Sequence, residues 1–230
     1  ILLLDRFLSS NGRTALEGEA ERIEGQAFLH EDSHTVYFSD PDESKPPSHP
    51  LRRTVSTRKR AIARHLMDAD SAMNALYEWP ALRRLIGDLF GIETLYLHDD
   101  PSNALVLSAY GAGENLGWHF DRAYFTVTLL LREAEGGGEF DYLTDIRSDG
   151  DESYACVQEA LEGRSARVRT ANLHEGTLVI FKGHDSLHRV RPVTGAVTRL
   201  LLILHFEEKP GVRISQEYRQ LIFGPNAPSG

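Results

Sequence analysis

Apolar and polar positions along this chain change rhythm once, near residue 92. Before that point apolar side chains recur mostly at helical spacing. Ser10 or Asn11 is placed to cap a helix running from about Thr14 to Glu24. A second helical region is expected over about Arg60 to Phe90, where Ile62, Leu66, Met73, Leu76, Leu82, Leu85, Ile86 and Leu89 fall near one stripe. Pro80 should interrupt it and Gly91 end it. The stripe reads as core packing and not as a cofactor box. Ile1 to Leu4 reads as a short buried strand, and the proline-rich stretch Ser39 to Pro50 as an exposed loop.

After residue 92 the runs shorten, become rich in β-formers and are broken by glycines: Thr94–His98, Ala104–Tyr110, Tyr124–Leu131, Gly138–Tyr142, Arg167–Thr170, Thr177–Phe181 and Arg199–Phe206. Such spacing predicts an antiparallel sandwich or barrel, not alternating βαβ units. One helix, about Glu152 to Leu161, interrupts the series. The sequence contains neither a dinucleotide-type glycine fingerprint nor a phosphate loop. The expectation is one mostly β domain: residues 1–92 as a mainly helical support, 93–207 as the β core and 208–230 as a tail.

Composition adds exclusions. The 230 residues carry 25 Lys plus Arg against 34 Asp plus Glu, a net charge of −9. That balance argues against a duplex-binding surface, so no nucleic-acid partner is expected. The one basic stretch, Arg52-Arg53 with Arg58-Lys59-Arg60, is short and reads as a helix entry. Cys156 is the single cysteine, which removes intrachain disulfides and thiolate zinc cages and suits a reducing, cytoplasmic setting. Ile1 to Leu4 is too short for a membrane span and lacks the charged flank of a signal peptide. The chain lacks an initiating Met, so a longer natural chain is an open expectation.

Candidate chemistry begins at Trp118-His119-Phe120-Asp121. In an extended segment the side chains at i and i+2 share a face, so His119 and Asp121 can meet one ion while Trp118 and Phe120 pack on the other side. A third ligand must come from elsewhere. His188, in Ser186-Leu187-His188-Arg189-Val190, lies beyond three of the β runs and the helix, enough chain to return a later strand beside the first. Two histidines and one carboxylate form the facial triad of non-haem Fe(II) oxygenases, with three coordination positions open. Arg199 opens the run to Phe206 and shares its strand face with Leu201, Ile203 and His205, while Leu200, Leu202, Leu204 and Phe206 face the other way toward the expected helices. A guanidinium on a largely apolar face is costly unless an anion meets it, and its planar fork matches a carboxylate. Tyr110 ends a strand before Gly111 and could donate to the same carboxylate or pack as a core aromatic.

The ordered set Tyr110-x-x-Gly113, His119-x-Asp121, Gly137-Gly138-x-Phe140, Gly176-Thr177-Leu178, His188 and Arg199 resembles the Fe(II)/2-oxoglutarate-dependent dioxygenases over roughly residues 95–207. That resemblance implies a double-stranded β-helix (jelly-roll, cupin-like) core with N-terminal helices. It implies that His119, Asp121 and His188 bind iron, that Arg199 pairs with the distal carboxylate of 2-oxoglutarate with Tyr110 assisting, and that the cofactors are Fe(II), 2-oxoglutarate and O₂. More narrowly, Leu116–Arg122, Phe125–Leu131, Asp145–Asp149 and Ser186–Val190 are similar to the bacterial carrier-independent amino-acid halogenases and hydroxylases. The halogenases of that group carry glycine in place of the triad carboxylate. Asp121 departs from this, so hydroxylation of an amino-acid-like small molecule is the implied activity.

Substrate candidates are Arg122, His205 and Asn115, with Glu114 beside the last. By strand parity Arg122 points away from the metal unless the chain turns, which leaves it either a solvated arginine or a carboxylate clamp. His205 shares the face of Arg199 and is a pocket residue or a satisfied core histidine. His184 reads as a loop residue and not a ligand. Protein or nucleobase hydroxylation, a cupin-like metal protein or hydrolase, and a metal-free binding module are the alternatives. Arg199 speaks against a hydrolase, and the intact triad against a metal-free module.

Overall fold

The computed structural model describes residues 1–148 and 150–228. Its frame is a sheet of seven strands: β1 (Leu2–Leu4), β2 (Phe28–His34), β3 (Val55–Ala63), β5 (Leu105–Tyr110), β7 (Thr126–Arg132), β11 (Leu178–Phe181) and β14 (Arg199–Leu204), in the spatial order β1-β11-β7-β14-β5-β3-β2. All six neighbouring pairs are antiparallel. A smaller sheet, β10 (Arg169–Ala171), β9 (Phe140–Leu143), β12 (Leu187–Val190) and β6 (Leu116–His119), lies in that order. Two short pairs complete the strands: β8 (Gly136–Gly137) with β13 (Val193–Thr194), and β4 (Tyr96–Leu97) with β15 (Phe206–Glu207).

Strand alternation sorts the core into layers. Leu200, Leu202, Leu204, Leu105, Leu107, Val127 and Leu129 pack with Leu16, Met73, Tyr77, Leu82 and Ile86, so the outer face of the large sheet is covered by helices. These are α1 (Ser10–Ile23), α2 (Ala72–Tyr77) and α3 (Pro80–Phe90). The inner face meets the small sheet through Tyr110, Phe140, Val179, Phe181, Val190 and Val193. A third cluster holds Trp118, Phe120, Leu143 and Leu187 against α4 (Tyr154–Leu161). The chain is mostly β with a jelly-roll core, and the apolar face expected for β14 is the one that meets the helices.

Three local expectations are corrected. Ser9, not Ser10 or Asn11, caps α1: its Oγ accepts from the Gly12 N–H at 3.2 Å. Pro80 does not break a long helix but occupies the first turn of α3, where its missing N–H has no partner to lose, and Gly91 ends that helix at φ 68°. The helical reading from Arg60 is wrong before residue 72, and residues 1–92 are less helical than expected. Val55–Ala63 is the strand β3, paired with β2 on one side and β5 on the other. Its Thr57, Lys59, Ala61 and Ala63 alternate with Arg58, Arg60 and Ile62, so two-fold alternation and pairing on both sides outweigh an accidental helical spacing. Arg58-Lys59-Arg60 is therefore no helix entry. Finally, residues 208–230 are more than a tail: α5 (Gln216–Phe223) packs on β2 and β3, capped by the Ser215 Oγ. Among the described residues no helix is long and apolar enough to cross a membrane.

Candidate metal centre

The pairing of β12 with β6 sets His188 directly across from His119, with ring centroids 4.1 Å apart. Asp121 follows β6 by two residues, and its backbone N–H donates to the Gly183 carbonyl at 3.1 Å. The three ligand atoms lie within 4.8 Å of one another. His119 Nε2 is 3.3 Å from Asp121 Oδ1 and His188 Nε2 is 3.4 Å from Oδ2. The other ring nitrogens face backbone carbonyls, His119 Nδ1 at 2.8 Å from Gly117 O and His188 Nδ1 at 2.9 Å from Ser186 O. A carbonyl only accepts, so Nδ1–H donates in both rings and each Nε2 turns a lone pair to the common point. Thr126 Oγ1 donates to the Asp121 carboxylate and fixes its plane.

Electrostatics suit a divalent cation. Burial, then the neighbouring His188, pushes His119 down to about 4, so its imidazole is neutral at physiological pH. Burial alone would raise Asp121, but His188 and His119 outweigh it and hold the carboxyl well below its ordinary range. Gly183 is required by space, because a Cβ there would collide with the Asp121 carboxylate and stand 2.6 Å from Thr126 Oγ1. Imidazole nitrogens plus carboxylate oxygen match Fe(II) in ligand type.

A second polar pocket opens from the same interior. Arg199 and Tyr110 are register partners on β14 and β5, 3% and 0% exposed. Arg199 Nη1, Tyr110 Oη and Ser108 Oγ are buried without a hydrogen-bond partner. Burial pushes the tyrosine hydroxyl up to about 12, so it stays a donor. Burial also lowers Arg199 from its ordinary value, the cost expected of a guanidinium awaiting its anion. Gly138, at φ 71°, admits it: a Cβ there would stand 2.9 Å from Arg199 Cδ. Orphaned donors around a buried cation fit a carboxylate-bearing cosubstrate.

The remaining sequence candidates divide. The chain turns after β6, so Arg122 does not follow strand parity: its guanidinium lies 5.2 Å from the Tyr218 ring and 6.0 Å from the Phe38 ring. His205 Nδ1 donates to Asn103 O, and burial followed by the charge of His98 pushes the ring down to about 4. Asp121 also influences it, which places the ring within electrostatic reach of the metal site. Asn115 does not reach the triad. Its side chain donates to Ser56 O at 2.8 Å, and its backbone bridges to Arg58. Glu114 is equally committed, to Arg60 at 3.0 Å and the Gly111 N–H at 2.7 Å. His184 pairs with Asp185 outside the donor set.

Sequence reasoning missed Lys59, Phe38, Tyr218 and Thr126. Phe38 sits at φ 53°, a costly conformation for an aromatic residue, and its ring centroid is 5.4 Å from that of His119. Tyr218, on α5, feels only the charges of Arg122 and Asp121. No local signal marks either residue. The two-fold alternation of residues 55–63 could have revealed Lys59 as inward-facing.

With this geometry in place, comparison with known proteins decides the family. The family described as HalD, Halogenase D, matches residues 4–222. The chain belongs to the Halogenase D family. No curated protein sequence matches this Halogenase D chain. Among solved structures it is similar to a Pseudomonas putida prolyl-4-hydroxylase, with 18% identity, TM-score 0.51, and 88% of this chain and 89% of that one covered. SnoN, the non-haem alpha-ketoglutarate-dependent epimerase from nogalamycin biosynthesis, gives 14% identity and TM-score 0.60 over 90% and 76%. HygX from Streptomyces hygroscopicus, solved with nickel, 2-oxoglutarate and hygromycin B, gives 12% and 0.56 over 89% and 81%. At these identities the likeness is one of fold. With the Halogenase D match, it bears out the resemblance to the Fe(II)/2-oxoglutarate-dependent oxygenases.

Proposed function

We propose that this chain hydroxylates an unactivated C–H bond of a small, amino-acid-like molecule, with 2-oxoglutarate converted to succinate and CO₂. The enzyme class is Fe(II)/2-oxoglutarate oxygenase, with Fe(II), 2-oxoglutarate and O₂ as cofactors. One observation carries the reading: a complete His119, Asp121 and His188 donor set shares its interior with the buried, unpartnered guanidinium of Arg199. Bound iron supplies the oxygen activation that no side chain can perform.

The chain's own residues do the positioning. His119, Asp121 and His188 hold the metal, their orientation set by Gly117 O, Ser186 O and Thr126. Arg199 takes the distal carboxylate of the cosubstrate, with Tyr110 and Ser108 offering hydroxyls. Phe140, Val179 and Phe181 form an apolar wall that limits water beside the triad. Asp121 favours hydroxylation over halogenation. Its carboxylate supplies the third donor and adds a negative charge beside any position a halide would take. The family's description as a halogenase favours the second reading, so both outcomes belong in one experiment. The protein is turned over with Fe(II), 2-oxoglutarate and a panel of free amino acids in high chloride, and the products are read by mass spectrometry. A gain of one oxygen atom with equimolar succinate is expected. A chlorinated major product overturns the hydroxylase assignment.

A further inference from the structure

Three consecutive basic residues on β3 have different fates. Arg58 pairs with Glu31 and Arg60 with Glu114. Lys59, between them, points to the other face of the sheet, opposite His30 on β2 and one step beyond the Arg60 to Ala109 pair that joins β3 to β5. That register puts Lys59 in the cross-strand row of Tyr110 and Arg199, on the interior side. Among the described residues its half-buried ammonium makes no hydrogen bond or ion pair, and Asp121 is the one charge that reaches it.

Arg122 approaches the same region from the turn after β6. It also lacks a carboxylate partner among the described residues and rests over Tyr218 and Phe38. Tyr218 is held there because Arg219, the next residue of α5, forms a buried ion pair with Asp100. The acids facing this part of the interior can be counted from either side. Asp121 is the one carboxylate whose charge reaches Lys59, Tyr218 and His205. A divalent metal would neutralise Asp121, which leaves Lys59 and Arg122 as two cations without a protein counter-charge. Burial already holds the Lys59 ammonium down to about 8, a cost that a bound anion relieves.

We infer that the substrate is an acidic small molecule whose carboxylate or phosphate is held between Lys59 and Arg122, and that the pocket rejects a basic side chain. This rests on the oxygenase reading above and narrows its substrate class. Electrostatics supply both halves: an anion gains two charge-assisted partners, whereas a second ammonium meets like charge with no free acid to take it.

The test is calorimetric binding under anaerobic conditions to the full chain loaded with Mn(II) in place of iron and saturated with 2-oxoglutarate. The ligands are L-aspartate, L-glutamate and O-phospho-L-serine against L-lysine and L-ornithine. At least one acid is expected to bind tenfold or more tighter than either basic amino acid. Lys59→Met and Arg122→Gln should each weaken that acid tenfold or more and leave the 2-oxoglutarate isotherm unchanged. Tighter lysine or ornithine binding, or failure of all three acids to bind, overturns the inference. So does a Lys59→Met variant that loses 2-oxoglutarate instead, which would make Lys59 a cosubstrate residue. The 2-oxoglutarate isotherm keeps the two readings apart: its absence in the wild type refutes the oxygenase assignment, while its presence without acid binding refutes only the substrate class.

Discussion

The interior of this protein holds two cationic pockets that differ in construction. The Arg199 pocket is made by adjacent strands: Arg199 and Tyr110 are register partners, Ser108 is two residues along, and all three are sealed from solvent. The Lys59 and Arg122 pocket is assembled from β3, a turn and α5, and Arg122 is exposed. A sealed cation with orphaned donors suits a ligand of fixed chemistry, which 2-oxoglutarate is. An open pocket built from separate segments can change its specificity without disturbing the sheet. The triad sits between them and gives both a reacting partner.

Removing the triad should have the largest effect, because it disables both pockets at once. His188→Ala is expected to abolish stoichiometric Fe(II) or Mn(II) binding, measured by calorimetry on the apoprotein. Its fold should persist, since His188 lies among aromatic rings that remain. Full metal affinity in that variant would misassign the ligand.

Next comes Arg199→Ala, which separates the two pockets. Truncating one partner of a buried charge pair costs about 2–5 kcal/mol. The 2-oxoglutarate requirement should therefore rise roughly 30- to several-thousand-fold. Substrate affinity at saturating cosubstrate should change little. A variant that keeps its 2-oxoglutarate affinity and loses only substrate would invert the comparison.

Gly183→Ala sharpens the view of the triad as a sterically prepared site. The added methyl meets the Asp121 carboxylate and Thr126, so metal affinity should fall roughly 10- to 100-fold, the range for lost outer-shell support, without loss of the fold. Circular dichroism with a metal titration reads both.

The smallest effect concerns stability. Lys59 has a folded pKa of about 8 against an ordinary 10.5. Between these values the unfolded chain binds a proton the folded chain has released, so the lysine's penalty is full below pH 8 and fades as pH rises toward 10.5. Lys59→Met should then stabilise the protein by about 1–3 kcal/mol at pH 7, with the gain shrinking toward pH 10. Thermal unfolding of the two proteins at pH 7 and 10 measures it. A gain that does not change with pH would mean that packing, not charge, is responsible.

The sheet and triad were legible in sequence because local patterns fix them. Alternation along Arg199–Phe206 placed Arg199 inside and the leucines under the helices, and His-x-Asp parity placed two ligands on one face. Lys59 was misread because helical and strand periods overlap over a few residues, and only pairing with β2 and β5 decides between them. Arg122 was ambiguous because strand parity fails at a turn, and Tyr218 lies beyond the resemblance, on a helix whose approach to β2 and β3 no local pattern encodes. Asn115 looked available from its neighbourhood to the triad, yet a side-chain bond to Ser56 O commits it elsewhere.

The most direct test of the account is an anaerobic titration of the wild-type protein with Fe(II) and then 2-oxoglutarate, followed in the visible spectrum. The weak charge-transfer absorption of the chelate should appear only when both are present, saturate at one equivalent of each, and vanish in His188→Ala. At cosubstrate levels that saturate the wild type, Arg199→Ala should show little of it. No band in the wild type, or an undiminished band in the His188 variant, would contradict the assignment of this site.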